Sequence, residues 1–371
     1  MKPGRYKLGE LCVMVRGSSP TMKTEPGSYP LVVTAANPRS SNAWQLEGPA
    51  VCIPLISSTG HGHASLSRVH YQEGKFALAN LLVALLPRGP IQCNPKYLYY
   101  ALMAKKNELL VPLMRGTANV SLKEVDIAQV EVWLPSSAAQ QTMVSRLEDL
   151  QRKASAAHAV HADIDQTSKQ LLAAVFHETT DGAPQQKMGE IAPLVRRSVA
   201  IEGDKAYPEL GIRSFGKGTF HKEPILGREL GTKRLFQIEP GDLVFNNVFA
   251  WEGAVAVAED DDVGRFGSHR FITCVPQRGI ISSHFLCYYF LTSLGLQQLG
   301  EASPGGAGRN RTLGLNALAN IPIPVPDHKK LSRFEECYGT VRSFNHIHLE
   351  QVEELDSLVP SVLSKAFAGE L

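Results

Sequence analysis

The sequence predicts a duplicated chain: two strand-rich α/β (α+β) domains, each followed by one long helix. Three observations predict it. Reading back from the end of the 371 residues, Ala366, Val362, Val359, Leu355, Val352, His348, Asn345, Val341, Tyr338 and Phe334 alternate steps of four and three. That is the 3.5-residue seam of a coiled coil, not one face of an ordinary surface helix. The same seam recurs 191 residues earlier, at Val175, Leu171, Ser168, Ile164, His161, Ala157, Ala154, Leu150, Leu147 and Met143. Each seam also follows a stretch of short apolar runs broken by Gly and Pro, the mark of short strands and turns.

The two strand-rich stretches correspond element by element. The first opens with Lys7-Leu8-Gly9-Glu10-Leu11 and Arg16-Gly17-Ser18; the second opens with Lys187-Met188-Gly189-Glu190-Ile191 and Val195-Arg196-Arg197. Tyr29-Pro30-Leu31-Val32-Val33 answers Tyr207-Pro208-Glu209-Leu210-Gly211-Ile212, each a short strand introduced by a turn. Gly48-Pro49-Ala50-Val51 answers Gly241-Asp242-Leu243-Val244, and Gly74-Lys75-Phe76 answers Gly264-Arg265-Phe266. Each then carries a helix, at Pro95–Leu102 and His284–Leu291, with Asn94 and Pro95 in the N-cap and first-turn positions of the former. A Gly-containing loop follows, Arg115–Asn119 or Gly305–Arg311. An extended exit strand closes each domain, Val130–Pro135 or Ile321–Pro326.

The helices after those prolines predict boundaries of 1–137, 138–182, 183–327 and 328–371 for domain, helix, domain and helix. A helix of roughly 40 residues spans about 60 Å, too long to lie along one ordinary domain, so the two are expected to pack on each other. The expected seam residues are Leu147, Leu150, Ile164 and Leu171 in the first helix and Val341, Val352, Leu355 and Val362 in the second. His161, Ser168, Asn345 and His348 are polar interruptions able to fix register. Pro360 is expected to kink or locally open the second helix, because it lacks an N–H and crowds the preceding turn.

Composition narrows the function classes. Hydrophobic residues make up 43% and charged residues 20%, which is ordinary for a globular protein. No run of about 18 apolar residues marks a membrane span, and no signal-peptide core follows Met1, so a cytoplasmic location is expected. The six cysteines are scattered without a Cys-x-x-Cys pair, which predicts reduced structural thiols and no zinc site. The net charge of +2 conceals an uneven distribution. Residues 187–234 hold ten basic and six acidic groups, whereas 335–371 hold two and seven. A basic globule joined to an acidic helix fits a nucleic-acid reader whose helix meets a protein partner; a solvated helix face explains the acidic run equally.

Catalytic motifs fail on inspection. Gly211–Gly218 has a P-loop outline but puts Gly218 where a Mg²⁺-binding hydroxyl belongs. Asn94-Pro95-Lys96-Tyr97 lacks the second proline of an amino-methyltransferase motif, and His61-Gly62-His63 lacks a third metal ligand. No nucleophile elbow or zinc-protease helix appears, so no catalysis is expected of this chain alone. Binding chemistry remains. Arg309, Asn310 and Arg311 sit on a Gly-rich loop, with Arg115 and Asn119 on its counterpart. Arg16, Arg39, Arg68, Arg196, Arg197, Arg213, Lys217, His221 and Lys222 are further candidates from loop-like stretches. Arginine suits phosphate and guanine, and asparagine can read adenine.

The duplicated layout and the ending Leu-Val-Pro-Ser-Val-Leu-Ser-Lys-Ala-Phe-Ala-Gly-Glu-Leu resemble the specificity subunits of type I restriction-modification systems. So do Ile321–Pro326 leading into a long helix, and Gly241-Asp242-Leu243-Val244-Phe245 with the later Gly253. The resemblance implies two target recognition domains, each reading half of a split, asymmetric sequence in double-stranded DNA. It implies that the helices form an antiparallel coiled-coil spacer. Methyltransferase subunits and a restriction/translocase subunit would dock on the chain, and S-adenosylmethionine, ATP and Mg²⁺ would belong to them, with no cofactor on this chain. Departures from the pattern are the second helix entry, Asp327-His328-Lys329-Lys330, which has no glutamine whereas the first entry carries Gln140-Gln141, and Pro49 in place of Asp242. Two alternatives stand beside this reading: a specificity subunit of another methyltransferase-based phage-defence complex, and a coiled-coil scaffold with paired protein-binding domains.

Overall fold

The computed structural model describes residues 2–59, 62–88, 93–117, 119–306 and 311–368, with the side chain of His346 outside that description. The chain divides into two compact units: residues 1–163 with 348–371, and residues 164–347. The long helices run Ser137–Thr180 and His328–Ala368, so each contributes one part to each unit. No helix among the described residues is long and apolar enough to cross a membrane.

In the first unit, Ala50–Pro54 is buried at every position and lies between Leu82–Pro87 and His70–Gln72 in a four-stranded sheet edged by Cys12–Arg16. A second four-stranded sheet orders Arg39–Ser41, Tyr29–Val32, Lys75–Leu78 and Leu46–Glu47, with Tyr29–Val32 and Lys75–Leu78 parallel. The helix Pro95–Leu109 starts as its sequence dictates: the Asn94 side chain accepts from the N–H groups of Lys96 and Tyr97, and Pro95 fills the first turn. Its Leu98 and Leu102 join Val51, Ile53 and Leu85 in a core that also takes Val144 and Leu147 from the first long helix and Leu363 from the second.

The second unit is built alike. Leu243–Asn246 lies between Val255–Val257 and Phe271–Cys274, and the helix Ser283–Leu291 packs Phe285, Leu286 and Phe290 against that sheet. Phe334 on the second long helix meets Phe285 edge-on at 5.4 Å, and Phe176 on the first lies 5.2 Å from Phe285.

The duplication holds at the level of register. Gly4–Lys7 pairs with Glu131–Leu134 so that Arg5 faces Trp133; Gln185–Lys187 pairs with Pro322–Pro324 so that Gln185 faces Pro324. Leu8 N–H donates to Val130 O and Met188 N–H to Ile321 O, both at 2.9 Å. A Cβ on Gly9 would sit 3.2 Å from Ala128, and one on Gly189 would sit 2.9 Å from Ala319. Glycine stands at both places because a neighbouring alanine occupies the space.

Within each unit the paired helix segments run antiparallel. In the first, His158 meets Asp356 at 3.4 Å and His161 Nδ1 meets His348 Nδ1 at 2.9 Å. In the second, Arg333 reaches Glu178 at 2.6 Å and Lys330 donates to Asp181 O at 2.9 Å. The second helix turns Phe334, Tyr338, Val341, Asn345, His348, Val352, Leu355, Val359, Val362 and Ala366 inward. In the first helix Leu147 is buried, and Leu150 and Ile164 are partly so. Leu171 departs from expectation: it is 48% exposed, and Leu172 takes the buried place. The inward stripe here faces a globular core as well as a partner helix, so it widens to about three positions per heptad and shifts by one residue at its end. Pro360 neither ends nor opens its helix, which continues to Ala368. Pro360 and Asp356, whose carbonyl loses its donor, both lie on the exposed face, where water can satisfy that oxygen.

Candidate nucleic-acid interface

The basic residues of the second unit divide by what holds them. Arg197 is committed to the fold. Its guanidinium donates to both oxygens of the buried Asp242, at 2.7 and 3.1 Å, and lies 3.1 Å from Glu239. Hydrogen bonding to Asp242 holds the Arg197 pKa above its ordinary value. Asp242 also accepts from Glu239 N–H at 2.9 Å. This accounts for one departure seen in sequence: where the first copy has Pro49 for Asp242, it also has Gly17 for Arg197, so both members of the ion pair change together.

Arg196, one residue earlier, stacks its guanidinium over Phe236 at 4.8 Å. The hairpin Leu210–Ile212/Thr219–His221 carries four candidates. Arg213 lies over Phe220 at 4.9 Å and donates to Thr219 O at 2.7 Å, and Lys222 lies 5.9 Å from the same ring. His221 Nε2 is 3.0 Å from Asp262 Oδ1, and Lys217 stands exposed in the turn. Asp262 is itself buried, takes the Thr219 hydroxyl at 3.1 Å and caps the turn at Glu259, so His221 is aimed by a fixed carboxylate.

A second segment meets this hairpin. The turn Ala250–Glu252, closed by Gly253 at φ 77°, accepts from Phe215 N–H and Gly216 N–H through Glu252 O and Gly253 O, at 2.8 and 2.9 Å. On the same turn Trp251 lies under Arg311, 5.0 Å from its ring centre, while Arg311 donates to Ser303 O and Gly300 O at 3.3 Å each. The structure therefore gathers Arg213, Lys217, His221 and Lys222 on the hairpin and brings Arg311, from a third segment, onto the turn that meets it. Arg309 and Asn310 lie outside the described residues.

The first unit spreads its candidates. Arg16, 3.6 Å from Glu124, shares a depression of about 310 Å³ with Ser121 and Lys123. Arg115 and Ser121 exchange backbone hydrogen bonds of 2.9 and 2.8 Å that close the loop bearing the exposed Asn119, and Arg115 Nη1 donates to Pro112 O. Arg39 donates to Thr21 O at 3.0 Å from an edge strand. Arg68 lines a different cavity, of about 730 Å³, with His70, Tyr71, Lys96, Tyr99 and Glu148. Burial and, secondarily, the charge of Arg68 push the pKa of His70 down to about 4, so its ring is neutral at pH 7.

Among the described residues, no three His, Cys, Asp or Glu side chains gather in a way that could hold a metal ion. All six cysteines are free, and burial pushes the thiols of Cys12, Cys52, Cys93, Cys274 and Cys287 up to about 12, which suits packing and not nucleophilic work. Reading the sequence did not single out Phe215 or Trp251, and it named Asp242 as part of a motif without its ion pair to Arg197. An aromatic followed by Gly216 and flanked by Arg213 and Lys217 was the available signal for Phe215.

Comparison with known proteins bears on this arrangement. Residues 4–164 match the family model of the type I restriction modification DNA specificity domain. Along 98% of its length the chain is 21% identical to the type I restriction enzyme EcoDI specificity subunit of Escherichia coli, covering 88% of that protein. A solved structure concerning complex assembly and conformational transition of the type I R-M system is similar at TM-score 0.64 and 14% identity, over 100% of this chain and 98% of that one. The type I restriction-modification S subunit of M. genitalium is similar at TM-score 0.57 and 12% identity, over 98% and 96%. The HsdS subunit of Thermoanaerobacter tengcongensis is similar at TM-score 0.52 and 16% identity, over 100% and 97%. Its first domain matches the DNA specificity domain model, and along its length the chain is similar in sequence and in fold to specificity subunits of type I restriction-modification systems.

Proposed function

We propose that the chain is the non-catalytic, sequence-specific DNA-binding subunit of a type I restriction-modification complex. Each domain reads one half of a bipartite, asymmetric target in double-stranded DNA. Methyltransferase and restriction/translocase subunits dock on the chain and supply S-adenosylmethionine, ATP and Mg²⁺ chemistry.

The observation that carries this reading is a scaffold duplicated in register whose loops have diverged in charge. The strand pairs Arg5–Trp133 and Gln185–Pro324 coincide between the copies. The loops do not: Arg213, Lys217 and Lys222 cluster in the second domain, whereas Arg16, Arg39, Arg68 and Arg115 are scattered in the first. Two like frames with unlike reading surfaces suit two unlike half-sites. Guanidinium and ammonium groups supply phosphate contacts, and Arg, Asn and His side chains reach base edges. The chain's small net charge makes its own affinity modest and leaves much of the phosphate grip to partners.

The test is co-expression with a methyltransferase encoded beside it, followed by mapping of methylated bases. A split motif with two dissimilar halves is the expected result. A complex that assembles but modifies DNA without sequence dependence overturns the proposal.

A further inference from the structure

The turn Arg213–Gly218 holds one residue that the proposed reading leaves without a role. Phe215 is 73% exposed and has φ 63°, the one non-glycine residue in the left-handed region among those described. A bulky side chain is strained there, and a ring in solvent returns nothing to the fold. The turn is nonetheless held firmly. Phe215 N–H donates to Glu252 O at 2.8 Å, Gly216 N–H to Gly253 O at 2.9 Å, Ser214 Oγ to Glu252 Oε2 at 3.1 Å and Arg213 N–H to Gly218 O at 2.9 Å. Gly216 cannot carry a side chain without meeting Leu291, since its Cβ would fall 2.7 Å from that residue's Cδ1. The fold therefore presents the aromatic ring outward on a rigid mount.

The charges beside it define what the ring would meet. Arg213 precedes it by two residues and Lys217 follows it by two; Lys222 lies across Phe220, and Arg311 stacks on Trp251 in the turn that anchors it. Glu252, whose backbone anchors the turn, also accepts from the Ser214 hydroxyl at 3.1 Å. An apolar plane between cations complements a duplex, where stacked bases lie between two rows of phosphate.

We propose that Phe215 is a wedge that enters a base step of the half-site read by the second domain, while Arg213 and Lys217 hold the phosphates on either side. This rests on the DNA-binding reading above and adds a mode of recognition to it. A π-face distinguishes no base by hydrogen bonding. It favours steps that unstack at least cost, pyrimidine–purine steps above all, so Phe215 selects by deformability at a position where no polar contact is made.

The test uses the chain assembled with its methyltransferase subunits and duplexes carrying the mapped target with 2-aminopurine at successive positions. A fluorescence rise at a single step of the second domain's half-site is expected. Phe215→Gly, which is at ease at φ 63°, should raise the melting temperature while abolishing that rise and weakening binding about tenfold. Phe215→Trp should retain the rise. A stable Phe215→Gly complex that binds as tightly as the parent overturns the wedge, as does specific binding with no fluorescence change at any step. Loss of methyltransferase assembly in Phe215→Gly also overturns it, by placing the ring against protein. Absence of sequence-specific binding by the parent complex would instead fail the underlying DNA reading, which the mapping of methylated bases detects separately.

Discussion

Single residues carry two different charges of duty in this chain, and their partners tell them apart. Arg197 and Arg196 are neighbours in sequence, yet Arg197 is locked to the buried Asp242 while Arg196 lies over Phe236. Removing one member of a buried pair strands the other, at a cost of about 3–5 kcal/mol. Arg197→Ala should therefore lower stability by about 3 kcal/mol or more in chemical denaturation, and Arg196→Ala by less than about 1 kcal/mol. His70 offers a pH-dependent counterpart. Its folded pKa, about 4, lies below its ordinary 6.5, so the unfolded chain takes up the proton first as pH falls. Its contribution is intact above pH 6.5 and is lost progressively down to about 4, with an upper bound on the order of 3 kcal/mol. His70→Gln should flatten the dependence of stability on pH between 7 and 4.5. An unchanged slope would show that the ring is not held neutral.

At the scale of elements, the long helices show where pattern reading works and where it slips. The second helix follows its seam from Phe334 to Ala366 because nearly every inward position repeats at coiled-coil spacing. The first helix is richer in alanine, so its apolar positions constrain the stripe less, and Leu171 and Leu172 are both plausible by composition alone. Packing separates them: Leu172 is 9% exposed and Leu171 48%. Leu172→Ala should cost about 2–3 kcal/mol and Leu171→Ala under about 0.5 kcal/mol, measured by denaturant midpoint. The glutamine pair at the start of the first helix also has a physical account. Gln140 accepts from Asn94 N–H at 2.8 Å and donates to Pro135 O at 3.0 Å, and Gln141 accepts from the Asn94 side chain at 3.0 Å. In the second copy the buried Leu331 stands 191 residues after Gln140, and apolar packing replaces that network.

At the scale of the whole molecule, the proposed reading of one half-site by each domain predicts that the domains are separable in function. Exchanging residues 183–327 for the corresponding segment of a homologue should change one half of the methylated motif and leave the other intact. A change in both halves would contradict independent reading. Deleting one heptad from each long helix should alter the gap between half-sites or abolish methylation, and an unchanged gap would contradict a ruler role for the helices. Both outcomes are read by mapping modified bases in cells carrying the altered chain and its methyltransferase.

Sequence by itself determined the duplication, the two long helices, the strand-rich domains before them and the resemblance to specificity subunits. These rest on periodicity and on repeated local patterns, which survive divergence because each unit must fill a core of the same shape. Tertiary structure alone decided which charges are locked to a buried carboxylate and which are not. Arg197 and Arg213 look alike in sequence, and only the fold puts Asp242 beneath one and Phe220 beside the other. It alone made Phe215 a mounted ring and not a buried one, because the hydrogen bonds that hold it come from Glu252 and Gly253, more than thirty residues away along the chain. Local spacing cannot encode such a contact; the meeting of two loops on a shared scaffold does.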